Sequence, residues 1–221
     1  MTDPAELIRH LETKYAGCQT YQDEGSVHFE ESVISFKTTF IRSGYFKFQW
    51  TVRRIPDATI LERNVIWSDG IGAHVEYDGQ PRQRVVSLAL AIAKASGLTL
   101  GAVHHVPALL MPEIAGESWT LLRGAYDFAP DSTDGSNYHI VRTTENSRTE
   151  LWISKIDIAL CKLFKSSTGL TPPQREALYE LAEREPEIRK SLNHQKYEGS
   201  NRSVTEITYH EVLFDHKLAP P

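Results

Sequence analysis

From Tyr45 to Arg53 apolar and polar positions alternate. Phe46, Phe48, Trp50 and Val52 face one way; Lys47, Gln49, Thr51 and Arg53 face the other. A period of two makes one side of a sheet apolar and aromatic and leaves the other wet. The pattern recurs: Phe36 and Phe40 flank Thr38, Val65 precedes Trp67, and Ile71, Ala73, Val75 and Tyr77 alternate with small or polar residues. Breaks fall at Glu30–Ser32, Ser43-Gly44, Pro56-Asp57, Asp69-Gly70 and Asp78-Gly79. Connections this short favour an antiparallel meander, because parallel strands need long crossovers. So many amphipathic strands must share one apolar interior, which in a curved antiparallel sheet is either a packed core or a ligand cavity.

Helical periods interrupt the strands. Asp3, Pro4 and Glu6 give a helix start, Leu7, Ile8, Leu11 and Tyr15 form one stripe, and Gly17 ends it. A second helix is expected over Arg84–Ser96, with Val85, Leu88, Ala89, Ile92 and Ala93 as its stripe and Gly97 as its stop. Leu98–Glu113, apolar and bounded by prolines, reads as a short helix lying across the sheet. Strands return at Trp119–Phe128, Tyr138–Thr144, Glu150–Ile153 and Asp157–Phe164. Residues 171–198 carry Leu178, Leu181, Ile188 and Leu192 near heptad spacing, with Pro186 as a kink. They read as a helical insertion before a last strand, Ser203–Phe214.

Composition narrows the function class. The chain has 221 residues, 40% apolar and 24% charged, with a net charge of −5. That fits a single domain over 1–221 with a substantial core, and argues against broad electrostatic binding to nucleic acid or anionic membrane. The start, Met1-Thr2-Asp3-Pro4, is polar, and no run approaches a membrane span. The expected location is cytoplasmic if Met1 is the natural start and extracytoplasmic otherwise. Two distant cysteines, Cys18 and Cys161, make neither a disulfide framework nor a zinc site.

Catalytic patterns are absent. No Gly-x-Ser-x-Gly elbow occurs, and Asp69-Gly70-Ile71-Gly72 does not open a helix as a dinucleotide fingerprint would. His104 and His105 are adjacent, so on a helix they diverge by ~100° and poorly share one metal; a third ligand would have to come from His74 or His139. The expectation is a container without catalysis, cofactor or metal.

Three stretches resemble the lipoprotein-carrier family, the LolA/LolB-like half-barrels. They are Leu11–Tyr15 running into Tyr21–Gly25, then Phe40–Phe48 around the Ser43-Gly44 turn, then Leu151–Lys155 with Ile158–Leu163. Ser43 stands where the family pattern has proline, and Lys47 where it has arginine. The resemblance implies an α+β fold: a highly curved antiparallel sheet, an incomplete barrel, with helices packed in the concave face. It also implies carriage of an apolar ligand, a lipid or acyl chain. The inward stripe and the resemblance together nominate Phe36, Phe40, Phe48, Trp50, Val65, Trp67, Tyr77, Leu109, Met111 and Trp119 as cavity lining. Arg42, at the turn, is expected to latch the Leu98–Glu113 lid through its carbonyls, while Lys47 points away. The alternative is a protein-interaction module whose partner docks on 171–198.

Overall fold

The structure, a computed structural model, describes residues 3–29, 31–55, 57–115, 122–130, 135–168 and 202–218. The expected helical insertion at 171–198 and Trp119 lie outside them.

Helix α1 (Pro4–Gly17) starts at Asp3, whose carboxylate accepts from the Ala5 amide, and buries Leu7, Ile8, Leu11 and Tyr15. A meander follows: β1 (Thr20–Phe29), β2 (Ser32–Ile41), β3 (Tyr45–Arg54), β4 (Ile60–Asp69), β5 (Ala73–Glu76) and β6 (Gln83–Val85). The turns fall at the sequence breaks, and Gly44, Gly70 and Gly79 supply the positive φ that three of them need. Helices α2 (Leu88–Leu98), α3 (Ala102–Leu110) and α4 (Pro112–Ala115) precede β7 (Asp127–Phe128), β8 (Asn137–Thr143), β9 (Ser147–Ser154), β10 (Leu160–Thr168) and β11 (Arg202–Phe214).

The strands form one antiparallel sheet in the order β6-β5-β4-β3-β2-β1-β11-β10-β9-β8-β7. It is not closed: β6 and β7 stand at opposite ends. The first and last parts of the chain meet in its middle, where β1 pairs with β11.

Register decides which side chains share the buried face. Phe36 stands between Gly25 and Trp50, Thr38 between Asp23 and Phe48, and Phe40 between Tyr21 and Phe46. Farther along the sheet, Ile207, Leu163, Leu151 and Ile140 continue the same face and are all fully buried. These residues and the buried stripes of α1, α2 and α3 make one hydrophobic cluster. α2 packs on β4, β5 and β6, and α3 packs against α1, α2 and α4.

Two expected elements differ. Residues 83–85 pair with β5 as a strand, so the second helix begins only at Leu88, where the Ser87 hydroxyl accepts from the Leu90 amide. Gly97 lies inside that helix rather than after it. A helical spacing of apolar residues thus ran through a strand, a cap and a helix without registering the boundary. Of the expected strand Trp119–Phe128, Leu122–Tyr126 are not strand, and only Asp127–Phe128 pairs, with β8.

Candidate functional site

The buried face carries a connected row of aromatic rings. Tyr209 meets Phe36 edge-on at 5.7 Å, Phe36 stacks on Phe48 at 5.4 Å, Phe48 lies 5.8 Å from Trp50, and Trp50 meets Tyr77 edge-on at 6.2 Å. Offset and edge-on contacts at these distances add to the gain from burial. Gly25 makes the row possible. A Cβ there would sit 2.3 Å from the Phe36 ring and 2.5 Å from the Thr208 carbonyl oxygen. Among the described residues, two polar atoms in this row, Trp50 Nε1 and the Tyr209 hydroxyl, are buried without a hydrogen-bond partner. Each leaves desolvation uncompensated, which folded proteins seldom tolerate outside functional sites.

Helix α3 is buried along its whole length, and Leu109 and Met111 belong to the same apolar cluster as Phe36, Phe40, Phe48 and Trp50. A cavity of about 250 Å³ remains beside it, lined by Ala16 of α1, His105 and Leu109 of α3, and Leu122.

Arg42 ties α3 to α1. Its Nε donates to the Cys18 carbonyl at 2.9 Å, and its two terminal nitrogens donate to Leu110 O at 2.9 Å and Tyr15 O at 3.0 Å. Leu110 ends α3, and Tyr15 and Cys18 lie at the end of α1. The last carbonyls of a helix have no intrahelical donor and carry the negative end of its dipole. One planar guanidinium therefore caps two helix ends at once, a geometry a lysine cannot reproduce.

Val65 and Trp67 do not line this interior, which corrects the expectation for them. Gln49 pairs with Val65 and Lys47 with Trp67, so both share the outer face with those polar residues. The inward positions of β4 are Asn64, Ile66 and Ser68. The Val-Ile-Trp-Ser run contains apolar residues of both parities, and the sequence pattern was assigned to the wrong one. On the outer face Trp67 stacks on His74 at 5.0 Å, with the Arg82 guanidinium 4.5 Å from its ring. Val65, Trp67, Lys47 and Tyr45 line an open groove of about 720 Å³ there.

The histidines are dispersed. His104 and His105 are buried on α3. His74 and His139 lie on the outer face, where His139 bonds Glu150 at 2.8 Å and stacks on Trp152 at 4.2 Å. Among the described residues no group of three His, Cys, Asp or Glu side chains is placed to hold a metal.

Asp23 was not singled out in the sequence, although its odd-numbered place between Tyr21 and Gly25 marks it as inward. It is 1% exposed, accepts from the Tyr21 hydroxyl at 2.7 Å and from the Thr38 amide at 3.0 Å, and burial raises its pKa to about 6.

No protein-family model matches the chain, and no curated protein does. Among solved structures it is similar to MucB. The complex of MucB with MucA(peri) has 13% identity and a TM-score of 0.35, covering 99% of this chain and 57% of that one. The Pseudomonas aeruginosa MucA/MucB complex has 12% identity and a TM-score of 0.37, covering 97% and 58%. MucB alone has 10% identity and a TM-score of 0.32, covering 97% and 60%. The chain thus spans 57% to 60% of the length of these MucB chains.

Proposed function

We propose that the chain is a single half-barrel unit of the lipoprotein-carrier type that binds and carries an apolar ligand, a lipid or acyl chain, without chemistry. In this reading the sheet curves around α2 and α3, and α3 is the lid. The observation that carries it is the aromatic row from Tyr209 to Trp50, in one apolar cluster with α3, where two buried polar atoms have no hydrogen-bond partner among the described residues. A scaffold selected for packing alone has no reason to keep an indole N–H and a phenol O–H without acceptors there.

The described cavity beside α3 is small. Small-molecule pockets run from about 300 to 1,000 Å³. The cavity of about 250 Å³ beside α3 falls short of that. In this reading α3 moves to expose the aromatic face. Phe36, Phe40, Phe48, Trp50 and Tyr77 then line the site from the sheet, with Leu109 and Met111 from the lid segment. Arg42 latches that lid through Leu110 O.

Titration with a lipophilic fluorescent dye, followed by displacement with oleate, tests this. Saturable dye binding that oleate reverses is the expected result. Trp50→Ala is expected to weaken binding roughly tenfold, in line with the loss of a large aromatic contact. Dye binding that never saturates, or that oleate does not displace, overturns the reading.

A further inference from the structure

The buried face is not apolar throughout. One step beyond the all-apolar row Ile140–Leu151–Leu163–Ile207, the cross-strand row reads Arg142–Thr149–Lys165–Thr205. Arg142 and Lys165 each stand opposite the buried Thr149, one from either side, so two cations flank one threonine on the inner face. Arg142 packs closely: its guanidinium lies 5.1 Å from the Tyr126 ring, and its δ-carbon would be 3.1 Å from a Cβ at Gly124. Its Nε is buried, with no acceptor among the described residues. Among the described residues no carboxylate pairs with Arg142 or Lys165.

Lys165 is exposed to solvent, yet burial lowers its pKa, with Arg142 adding to the effect. Lys165 stands on the inner-face row with Arg142 across Thr149 from it. The Lys165 charge adds to the burial that lowers the pKa of His104 and His105 on α3. Placing Arg142 and Lys165 together without a counter-charge among the described residues is costly, and a bound anion relieves it.

We infer that Arg142 and Lys165 form a subsite for the anionic headgroup, carboxylate or phosphate, of an amphiphile whose acyl chain lies along the neighbouring apolar row. This rests on the carriage reading and adds a ligand class to it. The arginine fork grips two anion oxygens, Lys165 supplies charge at the mouth, and the Thr149 hydroxyl lies between them. The adjacent Ile140–Ile207 row receives the first methylenes.

The test is binding of oleate, 1-oleoyl lysophosphatidate and oleyl alcohol to the full chain, with inorganic phosphate as a fourth probe. Both anionic lipids are expected to bind roughly tenfold or more tightly than the alcohol, with a preference that shrinks in high salt. Lys165→Gln is expected to remove most of that preference and to change alcohol binding less than twofold. Lys165 is exposed, so this variant is expected to fold; Arg142→Gln is the second variant, scored only if its circular dichroism matches wild type. Equal binding of all three lipids, or an anion preference that survives Lys165→Gln, overturns the headgroup site while leaving carriage intact. Phosphate binding lost in Lys165→Gln, with no lipid binding, overturns carriage and marks a free-anion site. Binding of none of the four overturns both.

Discussion

Asp23 and Gly25 show how single positions on one strand set both stability and space. The Asp23 carboxyl is held in the protonated form more firmly in the fold than in the unfolded chain, because burial outweighs its two hydrogen bonds. The folded state therefore binds the extra proton, and stability falls as pH rises from about 4 through about 6. At neutral pH the buried charge costs up to about 3 kcal/mol. His105 acts in the opposite direction. Burial keeps it neutral and lowers its pKa to about 3, so its contribution is lost as pH falls from the ordinary histidine range. Comparing variant with wild type isolates Asp23. Asp23→Asn keeps an acceptor for the Thr38 amide and can donate to the Tyr21 oxygen. It should be more stable than wild type at pH 7 and no more stable at pH 4, as read by urea denaturation. A constant difference across that range would assign the burial energy elsewhere. Gly25→Ala needs no titration. Its methyl collides with the Thr208 backbone, which cannot turn aside, and a loss of about 3 kcal/mol or more is expected in the same assay. Parity alone places Asp23 and Gly25 on the inward side, but what each does there depends on Thr38, Phe36 and Thr208 across the sheet, which the sequence does not bring together.

At the scale of elements, the strands of the first meander were legible because glycine turns and alternation coincide there. Lys47 was correctly turned outward by the same rule, and it pairs with Trp67. Trp67 and Val65 were assigned inward because hydrophobicity was weighed above parity, and cross-strand register settled the matter. Arg142 and Lys165 were missed for the mirror reason. Each stands two residues from a buried one, Ile140 and Leu163, and so shares its face, but a charged side chain in a strand carries no mark of the inner side. Arg42 was legible as a turn residue within reach of the following helices, but its second attachment, to the end of α1, was not. That attachment makes it a hinge pin between two elements. Arg42→Ala deletes three charge-assisted bonds and leaves two helix ends uncapped, which should cost about 2–4 kcal/mol. Arg42→Lys should recover only part of this, because an ammonium cannot span three carbonyls on two helices. Amide hydrogen exchange over Val106–Leu110 should quicken in Arg42→Ala and stay unchanged in Lys47→Ala. Equal protection of that segment in wild type and Arg42→Ala would show that packing alone holds α3.

For the whole molecule, an open sheet whose middle is sealed by β1 and β11 behaves differently from a closed barrel. The long central strands carry Phe36, Phe48 and Tyr209, whereas the ends, β6 and β7, are short. Short edge strands limit pairing with other chains. Such a molecule should respond to ligand in two opposed ways. A ligand bound to the native state alone stabilises it by mass action, about 2.7 kcal/mol at a hundredfold excess over Kd. If α3 must leave the aromatic face to admit an acyl chain, its own amides lose protection at the same time. Saturating oleate should therefore raise the thermal midpoint of the chain while speeding exchange in Ala102–Leu110 and slowing it in β2 and β3. A preformed pocket predicts something else, a rise in midpoint with α3 equally or better protected. That second outcome would mean that the ligand enters without displacing the helix, and that Arg42 is a fixed strut rather than a latch.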